Sequence, residues 1–249
     1  MKPLLEPLSD TIWQARIPLP FPLRWVNAYL ILDREGATIL DPGLHTDEAK
    51  QAWTAVLENL GVEMRHIRQI VLTHHHPDHF GLAGWFQERS GAPVRISAAG
   101  RDQAARLWGP GQPASGAILG QFRENGMDEA MLKQMALHLE SFVPRVSPFP
   151  QAVEPLEPGQ AVCFDGAAWT AIHTPGHAFG HLMFYQPDSR RLFCGDHVLP
   201  RITPNISLIP GVDEDPLGAY LNSLREIRTL DAAIAYPGRS EEHTSELQS

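Results

Sequence analysis

Cysteine is scarce in this sequence: Cys163 and Cys194 are the only two in 249 residues. Two thiols build no disulfide framework, so a cytoplasmic location is the default expectation. No long apolar run is present, which leaves no membrane-spanning segment and no membrane partner. The start, MKPLLEPLSDT, lacks an apolar stretch and a small-residue cleavage site, so no signal peptide is expected. Positive charge is short as well. Lys and Arg number 20 against 29 Asp and Glu, a net charge of −9 with no basic cluster. That argues against a nucleic-acid partner, which needs a basic track along phosphates. What remains is globular composition, 43% hydrophobic and 20% charged, at a length that suits one large α/β domain. Histidine and proline are plentiful, and four histidines fall between positions 74 and 79.

Strands are predicted over 11–17, 25–32 and 37–41, where β-branched and aromatic residues gather. A helix over 46–60 follows, with Thr46 as cap and Gly61 as stop. Strand 67–72, helix 78–88, strand 94–97 and helix 101–107 complete a first half. Residues 109–116 are loop-like. Residues 128–142 read as a helix capped by Asp128, with Met131, Met135 and Leu139 on one face. The proline-rich stretch 143–160 reads as an extended connection. Strands at 161–164, 168–173, 181–185 and 191–194, a long loop over 197–214, helix 216–229 and strand 232–236 form a second half. Two βα-rich halves predict a four-layer αββα sandwich with one half per sheet. Residues 127–142 read as an ordinary helix packed on the core, with a lid or insertion over 110–150 between the halves as the alternative.

The chemistry is concentrated in Thr73-His74-His75-His76-Pro77-Asp78-His79, between an apolar strand and a helix. Alternation along an extended segment points His74 and His76 to one side, and His75 away from them. Imidazoles and a carboxylate at this spacing are donors for zinc and related ions.

With Asp41-Pro42-Gly43, Thr174-Pro175-Gly176-His177 and Cys194-Gly195-Asp196 in that order, the chain resembles the metallo-β-lactamase-fold hydrolases. The resemblance spans 11–238 and lies nearest the glyoxalase II-like and β-lactamase-like protein 2 branches. It implies the αββα fold and two divalent metal ions, zinc first, with iron or manganese as the other choices. It implies His74, His76 and His177 at the first ion, Asp78 and His79 at the second, and Asp196 bridging. Asp41 is similar to the family's buried acid, which orients ligands by hydrogen bonding. The reaction implied is hydrolysis by a metal-bound hydroxide on a small-molecule carbonyl, a thioester or an ester or lactone first, with Asp78 orienting the hydroxide and passing protons. The alternatives are a metal-dependent nuclease or phosphodiesterase, an iron oxygenase, and a non-catalytic metal-binding relative.

One departure stands at the end. The family supplies a last histidine to the second ion after a Pro-Gly turn. Here Tyr236-Pro237-Gly238 is followed by Arg239, which has no lone pair to donate. Residues 239–249, RSEEHTSELQS, resemble the in-frame translation of a DNA sequencing adaptor. The expectation is therefore a domain over 1–238, an adaptor-derived tail, a missing natural C-terminal segment with histidine at this position, and a weakened second metal site. Without that tail the chain would carry −7, still acidic.

Overall fold

The computed structural model describes residues 4–109, 111 and 114–239. β-Branched and aromatic residues in the first forty positions build an antiparallel meander of β1 (Leu5–Pro7), β2 (Ile12–Pro18), β3 (Trp25–Leu32) and β4 (Ala37–Leu40). The chain then turns through Asp41-Pro42-Gly43 into α1 (Asp47–Leu60). The Thr46 hydroxyl accepts from the Ala49 N–H at 3.1 Å, and Gly61 closes the helix in the left-handed region at φ 64°. The Trp53 indole N–H donates to the Pro42 carbonyl at 2.6 Å, so this helix also fixes the turn after β4.

β5 (Ile67–Val71) runs parallel to β4. The single helix expected over 78–88 is instead two, α2 (Pro77–Phe80) and α3 (Ala83–Ser90). The Leu82 N–H is diverted to the Gly43 carbonyl at 2.8 Å, and a side chain at Gly81 would meet the Pro77 and Arg145 carbonyls. β6 (Val94–Ser97) leads into α4 (Ala98–Trp108), α5 (Ser115–Glu124) and α6 (Glu129–Glu140). Asp128 caps α6 as expected, accepting from the Met131 N–H at 2.8 Å. Within the stretch read as an extended connection lies a further strand, β7 (Val153–Leu156), parallel to β6. Its Pro155 is tolerated because β7 is the edge of the sheet and needs no donor on its outer side.

The second sheet is built from β8 (Ala161–Phe164), β9 (Ala167–His173), β10 (Leu182–Gln186) and β11 (Arg191–Gly195). It ends with β12 (Ile234–Pro237), placed parallel to β11 after α7 (Pro216–Ile227). The two sheets run β1-β2-β3-β4-β5-β6-β7 and β12-β11-β10-β9-β8. Between them pack Ile12, Tyr29 and Ile31 from one side and Phe164, Trp169 and Phe193 from the other. Trp53 and Phe86 cover the outer face of the first sheet, and Ile227 of α7 packs on Leu192 of the second. This is the four-layer αββα sandwich, with one half of the chain per sheet. Among the described residues no helix is long and apolar enough to cross a membrane.

Trp53→Ala removes a fully buried ring and is expected to cost about 3–5 kcal/mol in urea unfolding. Trp53→Phe keeps the ring packing against Phe86 but strips the Pro42 carbonyl of its donor, at about 1–3 kcal/mol.

Candidate metal centre

The segments that follow β4, β5, β9, β11 and β12 meet at one end of the sandwich. Rigid strand ends deliver the side chains, and hydrogen bonds fix their tautomers. Asp41 accepts the Thr73 N–H at 2.8 Å through Oδ1. Its Oδ2 accepts the Thr73 hydroxyl at 2.7 Å and His79 Nδ1–H at 2.9 Å. Because the Thr73 hydroxyl is spent on Asp41, its oxygen accepts from His74 Nδ1, 2.9 Å away. His74 Nε2 is thereby left as a lone pair. His177 follows the same logic: Nδ1–H donates to the Asn205 carbonyl at 2.8 Å, and Nε2 lies 3.3 Å from His74 Nε2. His76 Nδ1 is 3.1 Å from the same His74 atom.

Ring nitrogens of His74, His76 and His177 thus converge within 4.8 Å of one another. Burial holds all three imidazoles below their ordinary pKa, so they are neutral donors. Three lone pairs aimed into one buried space fit a divalent cation with nitrogen ligands. Asp41, His74 and His79 also converge within 4.8 Å, but Asp41 already accepts three hydrogen bonds and so orients its neighbours. To do this it sits at φ 55°, an unusual conformation for a side-chain-bearing residue.

Asp78, His79 and Asp196 are brought to the same end, with a further group among them. Arg239, which the sequence reading gave no role, extends its guanidinium between the two carboxylates. Its Nε donates to Asp196 Oδ2 at 2.7 Å, and its Nη2 pairs with Asp78 Oδ2. His79 Nε2 stands 3.3 Å from Asp196 Oδ1 and 3.9 Å from Asp78 Oδ2. Burial alone would lower the His79 pKa; Asp196, Asp41 and Asp78 outweigh it and push the ring up to about 10. Burial likewise opposes ionisation of Asp78 and Asp196, and Arg239 and His79 hold both carboxyls below the usual range. The rest of the tail, residues 240–249, on which the adaptor expectation rests, lies outside the described residues.

His75, expected to point away, is buried in the cavity wall; its carbonyl accepts the Trp108 indole N–H at 3.0 Å, and burial lowers its pKa to about 3. His181 bonds through Nδ1 to the Thr174 hydroxyl at 2.8 Å, and His173 Nε2 donates to the Phe179 carbonyl at 2.7 Å. His197 packs on Tyr220. Cys194 is buried, and burial raises its thiol to about 12. Thr73, named in the sequence only as the start of the cluster, and Asn205, not singled out there, are the partners that fix the His74 and His177 rings.

A cavity of about 620 Å³ opens onto His76 and His177, with His74 buried behind them. Phe21, Leu107, Trp108, Phe122, Met135 and Phe142 line its apolar side, and His76, Asp78, His177 and Arg239 its polar floor. Segment 127–142 therefore contributes cavity wall more than core: in α6 only Leu132 is buried, and Met131 is 53% exposed.

The family model for the metallo-beta-lactamase superfamily matches residues 23–239. The chain belongs to this superfamily. It is 28% identical over 248 residues to a probable metallo-hydrolase, YqjP, of Bacillus subtilis, covering 95% of this chain and 74% of that protein. It is 24% identical over 217 residues to the atrochrysone carboxyl ACP thioesterase AacuM of Aspergillus aculeatus, covering 87% of this chain and 51% of that protein. Among solved structures, a metallo-beta-lactamase family protein of Thermus thermophilus, TTHA1429, superposes with a TM-score of 0.85 at 32% identity, covering 94% of this chain and 75% of that one. The chain thus spans about half to three quarters of these relatives. Membership of the superfamily supports a hydrolase that binds divalent metal.

The histidine directions set a pH dependence for the metal-free protein. His74, His75, His76, His177, His181 and His197 are lowered, chiefly by burial, so below about pH 6.5 the unfolded chain binds more protons and stability falls on acidification. His79 is raised; its contribution is full below pH 6.5 and is lost as pH climbs toward 10. Urea midpoints measured in chelator should peak near pH 6.5–7, falling steeply on the acid side and gently on the alkaline side.

Proposed function

We propose that the protein is a metal-dependent hydrolase of small acyl thioesters, or of esters and lactones, whose acyl group is apolar. The observation that carries this is the apolar cavity opening on His76 and His177 of the histidine cluster. Its volume of about 620 Å³ suits a small-molecule ligand, and its aromatic wall favours an acyl chain or fused ring over a phosphate backbone. A relative named as an acyl-carrier-protein thioesterase supports the same reaction class.

In this reading His74, His76 and His177 hold one divalent ion, zinc in the first instance. When bound, the ion supplies Lewis acidity and lowers the pKa of water toward neutrality. The protein's own residues do the rest. The Asn205 carbonyl and the Thr73–Asp41 relay fix the ligand rings, so that lone pairs face the site. Asp78, at the cavity floor and ionised beside Arg239, holds the proton released by the attacking water and orients that water toward the carbonyl. Trp108 ties the histidine loop to the apolar wall, which keeps bulk water from the acyl group.

A panel of acyl thioesters of rising chain length, with hydroxyacylglutathione, lactones, a β-lactam and RNA alongside, tests this. Thioester kcat/KM should rise by roughly fourfold per added methylene until the cavity is full. Met135→Trp should cut long-chain turnover far more than acetyl turnover. Asp78→Asn should lower kcat by about 10²–10⁴ while the protein stays folded. Turnover of RNA alone, or thioester rates indifferent to chain length, would overturn the reading.

A further inference from the structure

We propose that Arg239 is a tethered cation that fills the position between Asp78 and Asp196, so that this chain takes up one divalent ion, at His74, His76 and His177, and excludes a second. The inference rests on the three-histidine reading above and not on the identity of the substrate.

Arg239 Nε bonds to Asp196 Oδ2 and its Nη2 pairs with Asp78 Oδ2, so the guanidinium spans both carboxylates with its planar fork. The remaining Asp196 oxygen, Oδ1, already faces His79 Nε2 at 3.3 Å. One oxygen of each carboxylate, Asp78 Oδ2 and Asp196 Oδ2, is therefore engaged by a fixed positive charge, while Asp196 Oδ1 makes no hydrogen bond among the described residues. Asp78 and Asp196 alone would present two negative charges to an incoming cation; Arg239 cancels one of them, and an ion entering between them must displace the guanidinium.

The arginine is not a loose arm. The Pro237-Gly238 turn that carries it is pinned from the opposite sheet: Tyr29 Oη donates to the Pro237 carbonyl at 2.7 Å, and Asn27 Nδ2 to the same carbonyl at 3.0 Å. The Asn27 N–H donates to the Gly238 carbonyl, and the Gly238 N–H to the Gly195 carbonyl, at 2.8 and 2.7 Å. Gly238 itself lies so close to Asp196 and His79 that a Cβ there would overlap both. The backbone thus aims the residue at 239 into the carboxylate pair whatever its side chain. An arginine there fills the space with charge, and a shorter neutral side chain leaves it open.

The test counts ions. The full chain is stripped with chelator, loaded with excess zinc, exchanged into metal-free buffer and analysed for metal, with a parallel cobalt titration followed by its visible absorption. The chain with Arg239 and Arg239→Lys should each hold one ion, and Arg239→Met should hold two, the second more weakly than in Arg239→His. Two ions in the Arg239 chain would overturn the proposal. So would one ion in Arg239→Met with two in Arg239→His, because a missing ligand alone would then account for the loss. Zero ions in the Arg239 chain would overturn the three-histidine reading itself, which keeps the two failures distinct. Far-UV circular dichroism and urea unfolding of each variant, purified with zinc present, check that it is folded. Should Arg239→Met not fold, Arg239→Gln takes its place with the same expected count.

Discussion

Three carboxylates, Asp41, Asp78 and Asp196, share one buried region where the two sheets meet, and unpaired charges there would cost several kcal/mol each. Much of the local structure is compensation for them. Asp41 adopts a left-handed backbone conformation and gathers three hydrogen bonds. His79 is raised to about 10 by its acidic neighbours. Arg239 crosses to Asp78 and Asp196. Each partner arrives from a different element, so the charge balance requires both sheets to be docked before it closes.

That coupling explains why the site is continuous with the fold. Thr73 belongs to both: its side chain relays Asp41 to His74, and its carbonyl accepts the Leu182 N–H from the second sheet at 2.8 Å. Ser97 similarly bridges the halves, donating to the Gly180 carbonyl at 2.5 Å while accepting the Gly100 N–H. Gly195 is required because a Cβ there would strike Thr73 and His181, so Asp196 is delivered by a backbone that only glycine allows so close.

The layers, the histidine trio and the Asp41 turn were legible in the sequence because each is written locally. Thr46 and Gly61 bracket α1, alternation marks the strands, and the ligand-type residues follow strand ends. The failures were non-local. The break at Gly81-Leu82 depends on the Gly43 carbonyl, a contact between separate segments. β7 was hidden by Pro155, which reads as a breaker until its edge position is known. α5 carries Gly116 and Gly120, which weaken its helical signature. Arg239 was read as unable to ligate. Nothing local says that it reaches carboxylates 43 and 161 residues away in the chain.

The division of labour between strand ends and helices bears on what this scaffold can vary. The clustered imidazoles and their hydrogen-bond partners are largely buried and over-determined, so a change there disturbs several charges at once. The wall contributed by α5 and α6 is anchored more lightly: only Ile118 is buried in the first helix and only Leu132 in the second. Residues such as Phe122 and Met135 can change size without touching the carboxylates or their partners. The imidazole and carboxylate cluster is thus tied to the strand ends, and the shape of the cavity wall to a pair of helices whose packing tolerates substitution. Residue 239 is the exception that joins the two regimes: it sits on a pinned turn yet lines the cavity floor, so a single side chain there sets both the local charge and the shape of that floor.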